Sequence, residues 1–208
     1  MKRLLFKSAA LIFALVLIGC SGNKNLINEK NMQITDLEQR VDSLNSELRS
    51  TNDEMMDIRS ELEQKLAEAR KDLEVCLETK NDLLKIKIPD AVSFNFGSTR
   101  LTDNGKEAID KIWEVLQDHP DRRILIEGHT DDVEIDEDFR HIFPSNWELS
   151  TARASVVLHY LLRKHNVDPK RIAISGYGEY HPAAGNDTPE GRAKNRRVVI
   201  SVRDRYRE

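Results

Sequence analysis

Arg123-Ile124-Leu125-Ile126-Glu127-Gly128-His129-Thr130-Asp131 is the stretch on which the fold turns. Its first half, 123–127, is apolar enough for a strand. Gly128 then interrupts it, and a histidine, a hydroxyl and an acid follow at once. A strand therefore ends where polar chemistry begins. Upstream, Thr102 can cap a helix on which Ile109, Ile112, Trp113 and Leu116 share one face, and Pro120 breaks that helix. Before it, Val92, Phe94 and Phe96 alternate with Ser93 and Asn95, the pattern of a half-buried strand. Downstream, Ser145-Asn146-Trp147-Glu148 is a capping box, with Ser at the cap and Glu three residues on. It opens a helix to about His165 with Leu149, Ala152, Val156 and Tyr160 inward. Strands are predicted over 171–175 and 198–202, with a short helical turn over 190–194 between them. The predicted class is α+β, strand and main-helix order β-α-β-α-β-β, a small mixed sheet with helices packed on one face.

The remainder of the 208 residues divides sharply. Lys2, Arg3 and Lys7 precede an unbroken apolar run of 10 residues, 9–18. That is short of the ~20 a spanning helix needs and suits a cleaved signal. Residues 26–84 contain no Pro and no Gly, and Ile34, Leu37, Val41, Leu44, Leu48, Thr51, Met55, Ile58 and Leu62 follow gaps of three and four. This is a coiled-coil seam, continued through Leu66, Ala69, Leu73, Cys76, Lys80 and Leu83 after a stutter. The coiled-coil helix is placed at 26–86, and a homo-oligomer through it is expected. Cys76 then sits on the seam, either as a small buried side chain or as an interchain disulfide. Ile88-Pro89 ends the helix, and the C-terminal domain is placed at 88–204 with 205–208 as a tail.

Net charge is −4, so no electrostatic footprint for nucleic acid is present. The six histidines are scattered without metal-ligand spacing, and the acidic run from Asp131 to Asp138 lacks the glycine and terminal glutamate of a calcium loop. No metal and no cofactor is expected. There is no G-x-S-x-G elbow, no H-E-x-x-H and no cysteine beyond Cys76, so no enzyme is expected.

Four stretches carry a resemblance: Glu127 through Asp131; Asn146-Trp147-Glu148-Leu149-Ser150-Thr151-Ala152-Arg153-Ala154; Gly176-Tyr177-Gly178-Glu179; and Gly191-Arg192-Ala193-Lys194-Asn195-Arg196-Arg197-Val198. In this order they resemble the OmpA-like peptidoglycan-binding domain, and its MotB-like stator branch in particular. The stator branch carries an acid within a spanning helix, whereas Leu4 to Ile18 has no Asp or Glu. Leu17-Ile18-Gly19-Cys20 resembles a bacterial lipobox. That resemblance implies a signal peptide over 1–19, lipid on Cys20, a lipidated linker over 20–25 and, with Ser21 next, an outer-membrane lipoprotein facing the periplasm.

The family's ligand is the diaminopimelate of the wall's stem peptide, whose free end bears one ammonium and one carboxylate. The resemblance implies Asp131 for the ammonium and Arg153 for the carboxylate, which a guanidinium can grip bidentately. It implies Asn146 and Thr130 as further polar contacts. Arg196 and Arg197 point to opposite faces of a strand, and Arg197 is the one expected at the site.

Overall fold

The computed structural model describes residues 2–68, 76–80, 83–95 and 98–203; the side chains of 1–23, Asn25, Glu68, Cys76 and Lys80 lie outside that description. The lipobox side chains, Ala69 and Leu73 of the seam, Phe96 and the 205–208 tail are therefore not among the described parts. Among the described residues no helix is long and apolar enough to cross a membrane.

A long helix, α1 (Lys2–Glu68), is followed by β1 (Cys76–Lys80), β2 (Leu83–Pro89), the single turn α2 (Asp90–Ser93), α3 (Asp103–Leu116), β3 (Arg123–His129), α4 (Asn146–Lys164), β4 (Ile172–Gly176), α5 (Pro189–Asn195) and β5 (Arg197–Arg203). The chain forms two units, 1–50 and 51–208. In the first, the seam residues Ile34, Leu37, Val41, Leu44 and Leu48 are all exposed. In the second, Met55, Ile58 and Leu62 are fully buried and join the core of the α+β domain. The same heptad stripe thus continues into the domain as part of its own core.

The coiled-coil helix does not run to 86. The described helix runs to Glu68, and 76–80 with 83–89 form an antiparallel hairpin. Leu84-Lys85-Ile86-Lys87-Ile88 explains why. Its apolar residues recur every second position and two are β-branched, which suits a strand with one buried face. Leu84, Ile86 and Ile88 are buried accordingly. Cys76 pairs with Lys87 in a strand register, so it lies on the hairpin and not on a helical seam, while its side chain lies outside the described residues.

The sheet has the order β1-β2-β5-β3-β4, antiparallel except for the parallel pair β3–β4. Ile124 and Ile126 of β3 line up with Val202 and Ile200 of β5, and these share one core with Ile109, Ile112, Trp113 and Leu116 of α3 and Val157 and Leu161 of α4. The strand predicted around Val92 to Phe96 is not a strand. Asp90–Ser93 is a helical turn, and Phe94 makes a single bridge to Leu101. Val92 and Phe94 are nonetheless buried, but so is Ser93 between them, so the burial does not follow the alternation.

The predicted caps are present. Thr102 Oγ1 accepts from Gly105 N at 2.8 Å, and Ser145 N donates to Glu148 Oε2 at 2.9 Å. On α4 the buried stripe is Ser150, Arg153, Ala154, Val157 and Leu161, one residue on from the expected Leu149, Ala152, Val156 and Tyr160. The shift has a local cause at Gly128. A Cβ there would lie 1.9 Å from Ser150 O, so β3 and the first turns of α4 touch backbone to backbone, turning Ser150 and Arg153 inward.

Candidate functional site

The close approach of Gly128 to α4 brings the end of β3 beside the start of that helix. Thr130 N donates to Gly178 O at 3.0 Å, and Gly178, at φ +54°, turns the chain back so that Glu179 reaches the same corner. Asn146 ties the corner together. Its Nδ2 reaches Asp131 O at 3.3 Å, Val133 O at 3.0 Å and Glu179 Oε2 at 2.6 Å. The amide nitrogen is therefore committed to holding the 131–133 loop, a positioning role.

Around this corner lies a cavity of about 660 Å³ lined by Asp131, Thr130, Asn146, Arg153, Asp90 and Arg196, among others. Four of the five residues expected at the site meet here: Asp131, Arg153, Asn146 and Thr130. Thr130 Oγ1 is buried with no hydrogen-bond partner among the described residues. The acidic loop supplies an apolar wall through Val133, Ile135, Phe139 and Phe143. It is held by Arg140, whose Nε donates to Ile135 O at 3.0 Å and whose Nη2 donates to Glu134 Oε2 at 3.0 Å.

Arg197 is not in this cavity. Its Nη1 donates to Asn195 O at 2.9 Å and its Nη2 to His181 O at 3.1 Å, on the other face of the sheet. Arg196 takes the place expected for it, donating from Nη1 to Asp131 Oδ2 at 2.5 Å. The reason is register. α5 ends at Asn195, Arg196 is its C-cap, and Arg197 is the first strand residue, so alternation sends the two side chains apart.

Asp90 is a second member the motifs did not reveal. Arg153 Nη2 lies 3.0 Å from Asp90 Oδ1 and 3.3 Å from Oδ2, with the guanidinium 5.3 Å above the Phe94 ring. Both side chains are largely buried, at 6% and 15% exposure. Burial pushes the Asp90 carboxyl above its usual value, outweighing the pull of Arg153 and Arg196, and the Asp131 charge adds to the rise. Burial likewise lowers the Arg153 guanidinium, against the support of Asp90. The only signal for Asp90 in the sequence is an acid directly after Pro89, and no spacing links it to a helix 63 residues on.

The cavity thus holds two ion pairs, Asp131–Arg196 and Asp90–Arg153, balanced and close enough to feel each other. A neutral ligand carrying one cation and one anion can exchange partners with them and leave the charge balanced. A single ion cannot.

A five-stranded mixed sheet with two helices on one face and a charge-paired cavity at the strand–helix corner defines a small α+β domain. The chain belongs to the OmpA family, which matches residues 93–196. It is 36% identical over 152 residues to motility protein B of Bacillus subtilis, covering 72% of this chain and 56% of that protein's length. Among solved structures, a putative MotB-like protein from Desulfovibrio vulgaris superposes with a TM-score of 0.68 at 25% identity, covering 76% of this chain and 96% of that one. The cell wall anchor of the T6SS from Pseudomonas aeruginosa superposes at 0.60 and 31%, covering 69% and 96%.

Proposed function

We propose that the protein is a non-catalytic peptidoglycan-binding protein of the cell envelope, and that the cavity between Asp131 and Arg153 takes the diaminopimelate end of the stem peptide. The observation that carries this reading is the paired charge set. Asp131 and Arg153 each have an internal counter-ion, and the ligand's ammonium and carboxylate replace Arg196 and Asp90 in turn. Thr130 Oγ1, buried without a partner, supplies a further donor or acceptor. Lipid on Cys20 holds the chain to the outer membrane, and the exposed seam from Ile34 to Leu48 pairs with a second copy. The protein then tethers membrane to wall without covalent chemistry.

Purified sacculi test the cavity. Losing one partner of a desolvated charge contact typically costs ~2–5 kcal/mol, roughly 30- to 4000-fold in affinity. Asp131→Asn and Arg153→Lys lose pull-down while circular dichroism stays near wild type, and free diaminopimelate competes with the wild type. Undiminished binding by either variant removes the assignment. Cys20→Ala tests the anchor separately: labelled fatty acid appearing on that variant would sink it.

A second reading, an anchoring subunit of an envelope machine, is supported by the likeness to motility protein B, which extends over 152 residues and so beyond the matched domain. Crosslinking in whole envelopes separates the two. A stoichiometric membrane complex favours the machine, and wall fragments alone favour the tether.

A further inference from the structure

The face of the sheet turned away from α3 and α4 carries its own cavity, of about 550 Å³, lined by Lys85, Glu127, His129, Tyr177, His181 and Arg197, among others. Strand alternation puts these side chains opposite Ile126, Val198 and Ile200, which face the core. The cavity is separate from the one holding Asp131 and Arg153, and none of the readings above uses it.

Its polar groups are poorly matched. His129 is 3% exposed, yet neither ring nitrogen has a hydrogen-bond partner among the described residues. The nearest approach is Nε2 to Glu127 Oε2 at 3.6 Å, too long for a hydrogen bond. The imidazole is fixed in place, stacked on Tyr177 with ring centroids 5.2 Å apart and planes 17° from parallel, and Tyr177 meets His181 edge-on at 4.7 Å. Arg197 is equally fixed. Its two terminal nitrogens donate to carbonyls, while its Nε is buried without a partner. Lys85 makes no ion pair among those found in the described residues. The acids here are spoken for: Glu127 Oε1 accepts from Ser201 Oγ at 2.6 Å, and Glu78 is ion-paired with Lys87.

The unpartnered groups are mostly donors: the Nε–H of Arg197 and one N–H of His129, whose other ring nitrogen is an acceptor, while the Lys85 ammonium feels the Glu127 carboxylate without closing an ion pair with it. Buried polar groups are nearly always satisfied, and a ligand that satisfies these must bring acceptors and negative charge. We propose that this open sheet face is a second ligand site, and that it takes an oxyanion, a carboxylate or a phosphate, gripped by Arg197 and Lys85 with His129 at its base. Glu127 sits against the same cations and limits the site to a ligand whose anionic group lies on the Lys85–Arg197 side.

The full chain is titrated with sodium phosphate and with sodium acetate by calorimetry, against sodium chloride at matched ionic strength. The ring nitrogen shifts of His129 are followed by NMR in parallel. The wild type binds at least one of the two oxyanions and shifts the His129 resonances, and so does Arg153→Gln, in which the Asp131 cavity is impaired. Lys85→Ala, a half-exposed position whose loss leaves the core intact, binds about tenfold more weakly or worse. Binding of phosphate alone assigns the site to phosphate esters, and binding of acetate, alone or with phosphate, to carboxylates. The proposal is overturned if neither anion moves the His129 resonances beyond chloride. It is equally overturned if binding is lost in Arg153→Gln and kept in Lys85→Ala, since the anion then sits in the other cavity.

Discussion

Asp90 and Arg153 form a buried ion pair in which desolvation outweighs attraction, because burial raises the Asp90 carboxyl despite two neighbouring guanidiniums. The sign of its pH effect follows. The folded state holds the Asp90 proton more tightly than the unfolded chain does. Ionising it therefore costs stability as pH rises from 3.8 through the raised value. Asp90→Asn should remove that slope and cost about 3–5 kcal/mol at neutral pH, since it leaves the buried Arg153 guanidinium without its counter-ion. Urea midpoints measured from pH 3.5 upward check this, and a variant with the same pH slope as the wild type contradicts it. The same change frees Arg153 from an internal competitor. Asp90→Asn should bind sacculi at least as tightly as the wild type, and weaker binding would make Asp90 a ligand contact instead.

At the scale of elements, α1 serves two purposes along one stripe. Leu62 is fully buried in the domain core, whereas Leu44 is 63% exposed. Leu62→Ala should lower stability by about 2–5 kcal/mol, the usual cost of a core cavity. Leu44→Ala should leave the urea midpoint of the domain within about 0.5 kcal/mol, as exposed substitutions generally do. In sedimentation experiments it should weaken self-association. Equal effects of the two on stability would mean that the stripe is not divided as described. The hairpin β1–β2 was open to the same kind of reading. Leu84, Ile86 and Ile88 repeat with period 2, but Leu83 also continues the gaps of three and four from the helix, and over so short a run both periods fit.

For the whole molecule, the sheet order sets where the domain begins. β2 lies between β1 and β5, so a boundary at 88 removes a central strand, strips β5 of one neighbour and takes Leu84 and Ile86 from the core. A fragment of residues 51–208 should fold cooperatively and sediment as a monomer. A fragment of residues 88–208 should not give a cooperative thermal transition. Native-like melting of the shorter fragment would show that the hairpin is dispensable.

Local signals on the chain were enough for the capped helices, the strand before Gly128, the long heptad stripe and the family motifs. Each depends on residues within a few positions of one another, through capping hydrogen bonds, periodic burial or the short reach of a turn. The meeting of Asp131 with Asn146 was legible too, because the motifs that carry them are recognisable as a set. Tertiary structure alone decided the partners. Asp90 reaches Arg153 only because β2 delivers it to the start of α4, and Arg196 displaces Arg197 only because α5 ends one residue before the strand begins. It also decided that 83–89 is a strand and that Met55, Ile58 and Leu62 of α1 are core, since a stripe of apolar residues specifies that something must cover it and not what does.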